Sequence, residues 1–141
     1  MLVKLLPNQI PYYREIVEET IERTYDYCDD EIKTNIYKEL LLDLCQCWIS
    51  HDDETKEFDG VMLTQIRNDL AIGRKTLTIL ALHAPEDPSA ESFMTGFELI
   101  KKFAKKHNCH HLDFYSNSPA VMQRANLFNV KLKTNYVQIE I

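Results

Sequence analysis

Residues 76–109 read TLTILALHAPEDPSAESFMTGFELIKKFAKKHNC, and the order of the fold turns on them. TLTILALHA is apolar on both faces through its middle, Ile79 to Leu82. That is the pattern of a strand covered on two sides and therefore lying inside a sheet. Pro85-Glu86-Asp87-Pro88-Ser89 stops it. From Ser89 or Ser92 to His107 the spacing becomes helical. Phe93, Phe97, Ile100 and Ala104 form one stripe, with Met94, Leu99 and Phe103 beside it. Lys101, Lys102, Lys105 and Lys106 take the other face near the C-terminus, where the helix dipole favours positive charge. Asn108 is a plausible cap, and HLDFYS (111–116) is a short strand. Strand, helix and strand in this order make a crossover unit.

Upstream, residues 2–6 read as a short strand ended by Pro7-Asn8. Residues 9–26 carry Ile10, Tyr13, Ile16, Val17, Thr20, Ile21 and Thr24 at helical spacing, with Pro11 in the first turn. Asp29 or Asp30 can cap a second helix over about residues 31–44, with Ile32, Ile36, Tyr37, Leu40, Leu41 and Leu44 on its buried side. Period 2 then takes over. Cys45, Cys47 and Ile49 alternate with Gln46, Trp48 and Ser50, residues 51–57 are a polar turn, and GVMLTQIRN (60–68) is a second strand. Residues 68–75, containing Gly73, connect it to the strand quoted first. Downstream of residue 116, Ser118-Pro119 opens a short helix through Leu127, Asn129 ends it, and residues 130–141 are one bent strand or two. The order is β-α-α-β-β-β-α-β-α-β: one α/β domain over residues 1–141, a mixed sheet with helices on both faces.

Composition narrows the classes. With 141 residues, 45% apolar, 27% charged, 3 Gly and 5 Pro, the chain is a globular domain and not a disordered or low-complexity one. Its apolar runs fall far short of the roughly 20 residues a membrane span needs, so no membrane association is expected. The net charge is −6 and uneven: residues 1–70 hold 7 basic against 16 acidic side chains, and residues 71–141 hold 9 against 6. So acidic a chain is a poor binder of phosphate backbones, and no nucleic-acid partner is expected. MLVKLLPNQIPYY carries no small-residue cleavage site and does not read as a signal peptide. Cys28, Cys45, Cys47 and Cys109 lie in apolar segments without the spacing of a disulfide scaffold. The expected setting is reduced and cytoplasmic.

In the order and lengths of its elements the chain resembles GNAT-type acyltransferases over nearly its whole length. The resemblance implies a sheet that splays after the central strand. Acyl-CoA enters the gap, its pantetheine pairs with the exposed backbone, and its pyrophosphate rests on the N-terminus of the next helix. Leu82 and Gly96 are then the positions that would meet acyl-CoA. The family motif there, Arg/Gln-x-x-Gly-x-Gly/Ala before a Leu-Leu pair, is placed by setting Leu99-Ile100 on that pair. Glu91 then stands for the Arg/Gln, Met94 for the first Gly and Gly96 for the second. A pyrophosphate on a helix N-terminus wants free N–H groups and no nearby anion. Glu91, with Glu86 and Asp87 upstream, reverses that sign. One like-charge contact at about 4 Å costs roughly 4 kcal/mol before screening. Binding a micromolar cofactor yields about 8 kcal/mol in all. The family's Tyr-x-x-x-Gly-Phe, whose tyrosine serves as general acid, falls on Ala125 and Asn129-Val130, with Tyr115 or Tyr136 as possible stand-ins.

Other candidates carry plainer readings. His83 is a candidate general base or, more commonly, a core or edge histidine with a local partner. His107, Cys109, His110 and His111 are adjacent, but neighbours in a strand point to opposite faces and no second ligand pair accompanies them, so no metal is expected. Cys45 and Cys47, even with His51 nearby, read as small buried side chains. The Lys101–Lys106 tract reads as a solvated face, and the acids of residues 52–59 as surface charge.

Two functions follow. In the first, the domain keeps the acyltransferase scaffold without its cofactor site and is no enzyme. It works as a binding or structural module with a protein partner or a second copy of itself. Its Trp48-Ile49 strand resembles eroded GNAT-like proteins of tailed bacteriophages, which implies a virion-associated or assembly role, in the host cytoplasm or the virion. In the second, it is a divergent N-acyltransferase using acetyl-CoA.

Overall fold

Two prolines shape the first turn of the chain. After strand β1 (Leu2–Lys4), residues Pro7–Tyr13 form a 3-10 helix, and α1 (Arg14–Thr24) begins only beyond it. A residue before proline is pushed out of the α region, and Pro11 has no N–H to give. The continuous helix expected over residues 9–26 is therefore a tight turn followed by a shorter helix. The computed structural model describes residues 1–25, 27–71, 73–84 and 89–114, with Gln123 and Ile139 besides. The short helix and final strand expected after residue 116, with Tyr115, Ala125 and Tyr136, lie outside the described residues.

Asp29 caps α2 (Asp30–Leu41), its Oδ1 accepting from the Ile32 N–H at 2.9 Å. Asp43 adopts φ 57° and turns the chain into β2 (Cys45–His51), so the helix stops before Leu44. Leu41, Leu42 and Leu44 are exposed. Of the side expected to be buried, Leu40 is fully covered and Ile32, Ile36 and Tyr37 partly so.

The remaining elements are β3 (Phe58–Asp69), β4 (Arg74–His83), α3 (Ala90–Lys106) and β5 (Cys109–Phe114). The sheet runs β1-β2-β3-β4-β5, antiparallel through β4 and parallel between β4 and β5. β4 thus lies inside the sheet, as its two apolar faces require. Ser89 caps α3 by accepting from the Ser92 N–H at 3.1 Å. At the other end Asn108 takes φ 59°, a conformation Asn tolerates, and donates to the Lys105 carbonyl at 3.1 Å.

Each face of the sheet has its own core. Under α1 and α2 lie Ile10, Val17, Ile21, Leu40, Cys45, Cys47, Ile49, Val61, Leu63 and Ala81. Under α3 lie Trp48, Met62, Leu77, Ile100 and Ala104. Ile100, not Phe97, centres the buried stripe of α3; Phe97 is half-buried. Lys101, Lys102, Lys105 and Lys106 face outward, and Lys101 pairs with Glu98 at 3.5 Å. Among the described residues no helix is long and apolar enough to cross a membrane.

Candidate functional site

Alternation along β4 breaks once. Leu63 pairs with Ala81 while its neighbour Thr64 pairs with Ile79, leaving Leu80 as an extra residue. This is a β-bulge, which bends a strand and disrupts its ladder. Leu80 and Ala81 consequently both pack toward α1 and α2. Tyr25, just past α1, donates its hydroxyl to the Leu80 carbonyl at 3.2 Å. Burial, aided by Cys45 and Cys28 against Arg67, raises the Tyr25 pKa, so the phenol stays protonated and a donor at neutral pH. No periodicity or motif marks Tyr25 for this role; it depends on where the bulge falls.

The described pairing of β4 with β5 ends at Ile79 opposite Phe114, and β4 runs on to His83. Leu82 there is 42% exposed. His83 is half-buried, and burial pushes its imidazole below the ordinary range; Arg23 adds to the shift and Glu19 opposes it. Arg23 and Glu19 are themselves paired at 2.8 Å on α1. The imidazole is therefore neutral at pH 7 and able to accept a proton.

α3 begins beyond a six-residue connection, 84–89, from the end of β4. Its first turn holds the exposed Glu91, and Ser89 spends its hydroxyl on Ser92, accepting from the N–H and donating to Oγ at 3.0 Å. Gly96 lies two turns into the helix. A Cβ there would meet Leu2 Cδ2 at 3.9 Å, which is ordinary contact, so the position faces β1 and not the helix end. The start of α3 therefore carries one exposed acid in its first turn and a serine cap bonded within the helix.

The other candidates separate. His110 and His111 are exposed, and Cys109 is half-buried against the α3-side core. Cys45 and Cys47 are buried under α1 and α2, and burial pushes both thiols up to about 12. Among the described residues no three His, Cys, Asp or Glu side chains gather as a metal-binding group.

Solved structures share this architecture from end to end. A probable acetyltransferase matches with a TM-score of 0.72 at 8% identity, covering 100% of this chain and 96% of the other. A predicted acetyltransferase from Clostridium acetobutylicum, solved with acetyl-CoA, matches with a TM-score of 0.72 at 13% identity, covering 99% and 95%. The fold is that of the GNAT acyltransferases. An aminoglycoside N-acetyltransferase solved in complex with CoA matches with a TM-score of 0.70 at 11% identity, covering 100% and 93%. No protein-family model and no curated protein matches the sequence. The GNAT likeness therefore rests on backbone arrangement, and at such identities it speaks for fold alone.

Proposed function

We propose that this GNAT-fold domain has lost the acyl-CoA site of its scaffold and acts as a binding or structural module for a protein partner or a second copy of itself. The observation carrying the reading is the start of α3. Glu91 puts negative charge in the first turn, and Ser89 has turned its hydroxyl inward to Ser92. The nucleotide phosphates of acyl-CoA would meet repulsion where the scaffold needs attraction. The likeness of the Trp48-Ile49 strand to eroded GNAT-like phage proteins supports a virion-associated or assembly setting.

One observation favours a second reading, a divergent N-acyltransferase using acetyl-CoA. The last residues of β4 extend past the described pairing with β5, beside a neutral His83 that could take a proton from an amine. Thermal unfolding with acetyl-CoA separates the two. A site with a dissociation constant near 10 µM would add roughly 2.7 kcal/mol at about 1 mM, several degrees for a domain of this size. No appreciable shift is expected. A rise of several degrees would overturn the module and restore the acyltransferase.

A further inference from the structure

One hairpin runs past the rest of the sheet. β2 starts at Cys45, opposite Gln65, while β3 and β4 continue together to the pair Asp69–Arg74. β4 covers one side of that projecting stretch of β3, and among the described residues no strand pairs with its other side. Arg67, Asn68, Asp69 and Leu70 are exposed there, Leu70 at 94%.

Alternation decides which groups the open edge offers. Leu5 N–H donates to the Cys47 carbonyl and His51 N–H to the Met1 carbonyl, so the odd-numbered residues of β2 turn their backbone groups toward β1. Gln46 and Trp48 therefore turn theirs toward Thr64 and Met62 on β3. The even-numbered residues of β3 keep that direction, and Asn68 presents its N–H and C=O to the open edge. Side chains alternate as well. Ile66 packs with the core under α3, which sends Arg67 and Asp69 to the other face of the sheet. An edge of this kind is a template for another strand.

The stretch is complementary to itself. Laid antiparallel on a second copy with Asn68 on the twofold axis, the two Asn68 residues exchange N–H···O=C bonds. Each Arg67 then faces the other copy's Asp69 on one side of the sheet. Moving the axis one residue either way sets Arg67 against Arg67 or Asp69 against Asp69, so charge selects one register. Asp69 also steadies the hairpin tip, where its Oδ1 accepts from the Ala71 N–H at 3.0 Å; a carboxylate accepts several bonds at once. Past Asp69, Leu70 of the second copy reaches Leu44, which precedes β2 and is 53% exposed.

We propose that two copies of this chain associate through this edge, β3 against β3, with Arg67 and Asp69 paired reciprocally and Leu70 of each copy covering Leu44 of the other. The interface rests on the self-association named above and not on the state of the cofactor site. The acetyl-CoA measurement and the one below can therefore fail separately.

So small a contact should give a weak dimer, with a dissociation constant of about 10 µM to 1 mM. Sedimentation equilibrium across that range of concentration should show it. Arg67→Asp and Asp69→Arg should each weaken association by about tenfold, since each sets like charges face to face. An equimolar mixture of the two variants should associate again, because one copy then carries both acids and the other both arginines. Leu70→Ser should weaken association several-fold, and at so exposed a position it keeps the test alive if a charge variant does not fold. A monomer throughout that range, association unchanged in the folded variants, or a folded mixture that stays monomeric would each overturn the proposal.

Discussion

The two faces of the sheet are built differently. Under α1 and α2 the described core is almost wholly aliphatic and thiol, with Val17, Ile21 and Leu63 at zero exposure. Under α3 the core is smaller, holds the ring of Trp48, and borders the polar chain from Trp48 through Thr64 to Gln46. Two helices and a 3-10 turn cover one face; among the described residues a single helix covers the other. A face covered by one helix runs out of apolar cover at its edge, and polar side chains there must satisfy one another. The first face is the better candidate for the rigid platform, the second for adaptation.

Denaturation of matched variants tests that contrast. Leu63→Ala, deep in the first face, should cost about 3–5 kcal/mol because its surroundings cannot collapse onto the cavity. Ile100→Ala, on the second, should cost about 2–4 kcal/mol. Phe97→Ala should cost less than either, about 1–2 kcal/mol, since a half-buried ring gives up only part of its transfer energy. A loss at Phe97 equal to that at Ile100 would put the buried stripe of α3 one turn away.

Thr64→Val sharpens the comparison, because it removes the middle of the polar chain and changes little in volume. It leaves the Trp48 N–H without its acceptor and should cost about 1–3 kcal/mol, with a visible change in Trp48 emission. If stability is unchanged, the second face is no more polar in its energetics than the first. Lys101→Ala should stay within about 0.5 kcal/mol, since its pairing with Glu98 is exposed and screened. The smallest effect is a slope. His83 has a folded pKa below its unfolded value, so the unfolded chain binds more protons between the two. Stability should therefore fall as pH drops from 7 through the ordinary histidine range, and His83→Gln should flatten that part of the curve.

What was legible in the sequence follows from the range of the interaction that decides each feature. β4, α3 and the crossover to β5 are visible because their apolar patterns are long and local. The crossing at Asn108 is visible for the same reason: one residue tolerates the left-handed turn. The start of α1 is not, because Pro7 and Pro11 convert a helical pattern into a 3-10 turn without disturbing its spacing. Leu44 fits the helical pattern of α2 yet lies beyond its end, where Asp43 has already turned the chain. The site features are hardest to see. Tyr25 meets Leu80 only because β4 holds an extra residue, and Gln46 meets Thr64 only through a register that slips once, near Ser50 and His51. A one-residue slip changes which side chains share a face, and spacing along one strand carries no trace of it.

The two thiols on the first face make the platform a clock. Alkylating reagents attack thiolates, and a pKa of about 12 leaves on the order of one Cys45 or Cys47 in a hundred thousand ionised at neutral pH, with no room for a reagent beside it. Either residue reacts at a useful rate only after α1, α2 and β2 part from one another. Cys28 and Cys109, each half-buried, should be consumed first. The slower phase that remains then counts openings of that face alone. When the reagent outpaces reclosing, its rate is the opening rate itself; when reclosing wins, it measures the population of the open form.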